Sequence, residues 1–271
     1  MLGYQQEKND VNDYLEPFMK ILLTNDDGYQ APGIQILYET LSKIHDVILI
    51  APDREKSAVG HGITLIRPLR HHPVQLNNGD NGYALNGTPA DCIKLGLFDL
   101  FDQKPDIVIS GINPGSNTGI NINYSGTVAA AREACLNGIP SMAVSIQIGD
   151  CLDYQGLALF ISNLLKQIQP FKLPAGSFLN INAPGIPMKD IQGVRITRQA
   201  ANNLSEQFEK RQDPRQRPYF WYGKMNTVNH EPGTDNEALS DNCISITPIQ
   251  CDMTDHESLA TLADLKDMMF N

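Results

Sequence analysis

Two aspartates in a row, Asp26 and Asp27, follow the apolar run ILLT and stand just before Gly28. Adjacent carboxylates repel each other, and a divalent cation is the usual means of keeping both ionised. Oxygen donors of this kind suit Mg²⁺, Mn²⁺ or Ca²⁺. The same tetrapeptide, Asn25-Asp26-Asp27-Gly28, would also make a plain Asx turn, and taken alone it does not decide between the two. A second stretch, Asp53-Arg54-Glu55-Lys56-Ser57, follows DVILIAP and leads to the glycine-flanked His61. An acid there would suit the ribose contact of a dinucleotide fold, but that fold needs a GxGxxG turn after its first strand, and TNDDGY is not one. His61 reads first as a partly exposed loop histidine and second as a catalytic acid or base. A third stretch runs from Gly111 to Gly119 after DIVIS, carrying Asn113 and Asn117, and a few residues later Tyr124-Ser125-Gly126-Thr127 opens a helical pattern. Small residues at a helix start expose backbone N–H groups and the positive end of the dipole, which together receive a phosphate. The bland alternatives are an N-cap at Ser125 and turn chemistry at the asparagines.

All three stretches come directly after short β-branched runs, and those runs alternate with helix-like segments: PGIQILYETLSKI, the segment after Thr88-Pro89, TVAAAREACLNG and LDYQGLALFISNLLKQI. Such alternation builds a parallel sheet, and the ligand crevice of a parallel sheet lies beyond the carboxyl ends of its strands. Paired carboxylates, neutral oxygen donors and an anion cradle would therefore converge, the parts of a metal-assisted phosphate ester hydrolase. Pro32 and Pro89 suit first helical turns, and Gly138 suits a helix stop. Between the second strand and Thr88, ITLIRPLRHHPVQLNNGDNGYALNG reads as a hairpin inserted in the sheet. FLNINAP, GVRITR and ISITPI read as further strands, and HESLATLADLKDMM reads as a terminal helix.

The expected fold is α/β, a Rossmann-like mostly parallel sheet with an inserted hairpin, a protruding excursion and a C-terminal helix. Residues 1–18 form an N-terminal extension, 19–198 the catalytic core, 199–241 a protruding oligomerisation segment, and 242–271 the returning strand and helix. The excursion is polar and lacks sustained periodicity, yet it carries Tyr219, Phe220, Trp221 and Tyr222, which are costly to leave in water.

With 271 residues, 41% hydrophobic and 19% charged, the chain is a folded globular protein rather than a disordered one. A formal charge of −10 argues against a general grip on nucleic acid or on an anionic membrane. Five cysteines show neither a CxxC pair nor framework spacing, as in reduced cytosolic proteins, and no stretch approaches the length of a membrane span. The expected location is the cytoplasm.

The sequence also resembles a known family, the stationary-phase survival protein SurE, a group of metal-dependent nucleotidases. The residues that carry the resemblance are ILLTNDDGYQAPGIQIL, VILIAPDREKSAVG, LNGTPADCIKLGL, PDIVISGINPGSNTG, YSGTVAAAREA, GIPSMAVS, FLNINAP and ISITPI, in family order from residue 19 to about 265. The resemblance implies that Asp26, Asp27, Ser57 and Asn113 bind one divalent cation per subunit, Mg²⁺ or Mn²⁺, and that Asn117 with the Ser125-Gly126-Thr127 turn holds the phosphate. It also implies a homodimer or homotetramer. The residues themselves point to the two aspartates and the helix start, but do not single out Ser57. The expected activity is hydrolysis of nucleoside monophosphates to nucleoside and phosphate, with Asp26 or Asp27 accepting the proton of the attacking water. Two alternatives stand beside it: a nucleotide-sugar or dinucleotide enzyme on the same fold, and a non-catalytic nucleotide-sensing stress protein.

Overall fold

The computed structural model describes residues 18–100, 103–167, 174–201, 208–222, 231–263 and 265. Its centre is a nine-stranded sheet in the order β3-β4-β2-β1-β5-β6-β7-β11-β8. The central strands β1 (Lys20–Thr24), β2 (Asp46–Pro52), β5 (Ile107–Pro114), β6 (Ser141–Ile146) and β7 (Ser177–Ala183) run parallel. Strand β11 (Cys243–Gln250) pairs antiparallel with β7, and β8 (Gly193–Ile196) pairs with β11 at the far edge. The opposite edge is the hairpin of β3 (His71–Gln75) and β4 (Asn81–Leu85), whose second arm lies parallel to β2.

Period-2 alternation sorts the core onto two faces. Ile21 and Leu23 meet Ile34, Leu37 and Leu41 of α1 (Pro32–Leu41) and Leu157, Ile161 and Leu165 of α4 (Tyr154–Gln167). Leu22 faces the other way, towards Ile93 of α2 (Pro89–Leu95) and Ala130 and Ala134 of α3 (Gly126–Leu136). Pro32 sits at the first helical position of α1, and Thr88 closes a capping box with Asp91 at the start of α2. The fold class read from the sequence is the one observed.

The chain leaves β1 to one side for β2 and returns to its other side for β5, so the order reverses between β1 and β5. That switch point is where an open α/β sheet leaves a crevice. Asp26, Asp27 and Asn113 stand at its rim.

One segment differs from the expected pattern. The tract after residue 198 is not irregular throughout: β9 (Phe208–Gln212) and β10 (Pro218–Tyr222) pair antiparallel as their own two-stranded sheet, with every residue exposed, and α5 (Asp235–Ser240) follows. Among the described residues the terminal helix α6 covers His256–Thr261, and the expected helix from residue 266 onward lies outside them. Residues 1–17 and 223–230 lie outside the described residues, and with them most of the N-terminal extension and His230. Among the described residues no helix is long and apolar enough to cross a membrane.

Candidate active site

The turn after β1 is built by Asn25, which is fully buried and uses both ends of its amide on Gly28, donating to its carbonyl at 2.9 Å and accepting from its N–H at 3.1 Å. The Asx turn and the metal reading therefore coexist: Asn25 makes the turn and frees the two aspartates. Asp26 is 4% exposed and accepts a hydrogen bond from Thr127 Oγ1 at 2.5 Å. Burial pushes its pKa up, against the opposing pull of the Thr127 hydroxyl and backbone N–H. Asp27 is half-buried; burial first, then the charges of Asp26 and Glu55, raise its carboxyl to about 7. Its Oδ2 is buried without a hydrogen-bond partner.

The α3 start meets Asp26 so closely that only glycine fits between them. A Cβ at Gly126 would lie 2.8 Å from Asp26 Cβ and 3.0 Å from its Oδ2. Part of the expected phosphate turn is thus engaged within the protein itself. Thr127 is fully buried, and its hydroxyl and N–H serve Asp26 rather than the open cleft. Ser125 takes the bland role of N-cap, accepting from Val128 N at 3.1 Å, yet it also lines the cleft.

Strand β5 reaches the site through a register shift against β6 between Ser110 and Asn113. Gly111 makes the shift possible, with φ of +141° and a missing Cβ that would lie 2.3 Å from Val144 O. Beyond it, Asn113 donates its Nδ2 to Gly115 O at 2.7 Å, which leaves Oδ1 as its acceptor. Asn117 is held on all sides: its N–H donates to Asn182 Oδ1 and its Nδ2 to Ser145 Oγ, both at 2.8 Å, while its carbonyl accepts from Asn180 Nδ2 at 2.7 Å. Asp235, fully buried at the start of α5, adds a further tie by accepting from Gly119 N at 2.8 Å.

These ends enclose a cleft of about 760 Å³, lined by Asp26, Asp27, Ser57, Asn113, Asn117 and Ser125 among others. Of the expected site residues only Gly126 and Thr127 do not line it; they stand against Asp26 instead. Glu55, Tyr124 and Tyr222 also form its wall. Ser57 donates its hydroxyl to Glu55 Oε1 at 2.6 Å. His61 is not a wall residue and its Nε2 is committed to Glu133 at 2.8 Å, so it is not poised as an acid for the leaving group. Sequence reading does not single out Glu55, Asn180, Asn182 or Asp235. Two asparagines at i and i+2 on one face of a buried strand are the signal that marks Asn180 and Asn182, since buried amides there must find partners.

The residues fit a divalent cation. Two adjacent carboxylates with raised pKa, one bearing an orphaned buried oxygen, are what an ion of charge +2 would relieve, and Ser57 and Asn113 add neutral oxygens. Among the described residues no group of three His, Cys, Asp or Glu side chains is placed to hold a metal.

The family model described as survival protein SurE matches residues 21–206, more than half of the chain. The protein named 5'-nucleotidase SurE from Desulfatibacillum aliphaticivorans is 49% identical over 249 residues, covering 92% of this chain and 98% of the relative. Its namesake from Syntrophobacter fumaroxidans is 46% identical over 245 residues, covering 90% and 98%. The crystal structure of the SurE protein from Aquifex aeolicus superimposes with a TM-score of 0.80 at 35% identity, covering 92% of this chain and 100% of that one. Sheet order, the strand-end carboxylates and these likenesses agree, and the chain belongs to the SurE family.

Proposed function

We propose that the protein is a metal-dependent 5'-nucleotidase that hydrolyses nucleoside monophosphates to nucleoside and inorganic phosphate. The observation that carries this reading is the unpartnered buried Oδ2 of Asp27 beside Asp26, in a cleft where Ser57 and Asn113 add neutral oxygens and Glu55 a further carboxylate. The names borne by its relatives point the same way.

In this reading Asp26, Asp27, Ser57 and Asn113 hold one Mg²⁺ or Mn²⁺ per subunit. When bound, such a cation supplies Lewis-acid neutralisation of the phosphoryl charge. Thr127 keeps Asp26 fixed, and the bond from Asn117 Nδ2 to Ser145 Oγ steadies Asn117, which with Ser125 meets the phosphoryl group. Asp26 is committed to Thr127, which leaves Asp27 as the better acceptor for the proton of a water attacking phosphorus in line. Tyr124 and Tyr222 offer aromatic faces to the nucleoside part.

The exposed aromatics of β10 lead us to assign the β9–β10 ribbon to assembly, as a homodimer or homotetramer, and the cysteine pattern to place the protein in the cytoplasm. The test is phosphate release from nucleoside 5'-monophosphates by chelated protein, with and without Mn²⁺ or Mg²⁺. Release restored by either cation is expected. Equal release in chelator would overturn the reading.

A further inference from the structure

The loop from Asp53 to Ile66 carries Ser57 but has no regular structure. It is tied at intervals. Lys56 N donates to Asp26 O at 2.7 Å, and Gly60 N donates to Tyr124 O at 3.0 Å. Further on, Thr88 Oγ1 donates to Gly62 O at 2.7 Å. Between the first two ties, Ser57, Ala58 and Val59 are exposed, and Ala58 adopts a left-handed φ of +56°.

His61 is the side chain that anchors this loop to the core. Its Nε2 lies 2.8 Å from Glu133 Oε2, and the Glu133 side chain is only 6% exposed. The other oxygen of Glu133 receives Lys94 Nζ from α2 at 2.7 Å and Asn137 Nδ2 at 2.9 Å. Burial alone would raise this carboxyl, but the hydrogen bonds from His61, Lys94 and Asn137 hold it down at about 2. A buried carboxylate met by side chains from the loop, from α2 and from its own helix is a firm anchor. The helix that bears Glu133 is also the one whose first turn holds Asp26. One rigid element therefore grips both sides of the cleft: Asp26 through Thr127, and the Ser57 loop through His61.

We propose that His61 is a positioning residue, whose pairing with Glu133 sets the loop so that Ser57 lines the cleft it shares with Asp26 and Asp27. The proposal rests on the reading of Ser57 as a metal donor. It differs from a purely stabilising ion pair in a way that Lys94 reveals, because Lys94 meets the same carboxylate from α2, outside the loop.

The test uses the full chain and three measurements: Mn²⁺ binding by electron paramagnetic resonance, kcat and KM with a nucleoside 5'-monophosphate, and the rate at which trypsin cuts after Lys56. In His61→Phe, Mn²⁺ affinity should fall about tenfold, the size typical of losing an outer partner of a metal site. Cleavage after Lys56 should quicken, and kcat at saturating Mn²⁺ should hold. His61→Gln keeps an N–H that can reach Glu133 and should restore both affinity and resistance to trypsin. Lys94→Gln should leave both as in the wild type. Unchanged cleavage in His61→Phe, with Mn²⁺ still bound by the wild type, would overturn the clamp alone, as would an equal loss in Lys94→Gln. A wild-type protein that takes up no Mn²⁺ would overturn the metal reading and the purpose given to the clamp with it.

Discussion

Asp26 is 4% exposed and bonded to a residue 101 positions away, whereas Trp221 on the β9–β10 ribbon keeps 59% of its surface in solvent and pairs across a short turn with its own neighbours. In the cleft, charged and polar groups are drawn into the sheet ends, where each must find a partner because an unmet buried polar group is costly. The ribbon shows the reverse. Its polar strand carries Arg211 paired with Glu209 in open solvent, an arrangement worth little, and its aromatic strand is exposed along its whole length. A two-stranded ribbon is marginal by itself. Burial within one chain fixes the polar groups of the cleft, whereas the side chains of the ribbon stay exposed, with Tyr222 also on the cleft wall.

The largest effect should come from the carboxylate pair. Asp26→Asn or Asp27→Asn should cut phosphate release by about a thousandfold, the several kcal/mol that a catalytic metal contributes. Melting in chelator should stay level or rise, since one of two repelling charges is gone. Release at the wild-type rate from both variants would break the contrast at its core.

Gly126→Ala forces a Cβ to within 2.8 Å of Asp26 and tests how tightly the cleft is packed. It should cost about 1–3 kcal/mol of stability by overpacking, measured by denaturant unfolding, and should lower turnover more than Thr127→Val, which removes one hydrogen bond of about 1 kcal/mol.

Glu133 supplies a pH test. Its folded pKa, about 2, lies below its ordinary value of 4.5, so its contribution to stability is present above pH 4.5 and is lost as pH falls towards 2. Melting of wild type and Glu133→Gln should therefore differ at pH about 6 and converge as the carboxylate is protonated. A constant gap across that range would show that the carboxylate is not the anchor.

The smallest effect on folding should come from the ribbon. Phe220→Ser with Trp221→Ser should leave subunit stability within about 0.5 kcal/mol, as for exposed positions, while reducing the sedimentation coefficient of the assembly. Unaltered sedimentation would show that the aromatics face something other than a second copy.

What can be read from the sequence follows the same division. Strands β1, β2 and β5 are legible because apolar runs and strand-end turns leave local marks, and so is the α2 start at Thr88-Pro89. The partners of the site are not. Thr127 meets Asp26, and Asn117 meets Asn180 and Asn182, only after the sheet has brought distant strands together. The ribbon escapes for another reason: a strand with both faces exposed has no buried side to impose a period of two. FEKRQ is polar after its first residue and PYFWY aromatic after its proline, and neither shows the alternation that marks a half-buried strand.

The closure of α3 on Asp26 bears on what the helix start still has to offer an anion. A free helix end is a strong trap for a dianion, because several N–H groups and the dipole act on it at once. Here the hydroxyl and N–H of Thr127 already serve a carboxylate of the protein, and Ser125 caps Val128. The start of α3 therefore offers an incoming anion fewer free donors than an uncommitted helix end of the same length would.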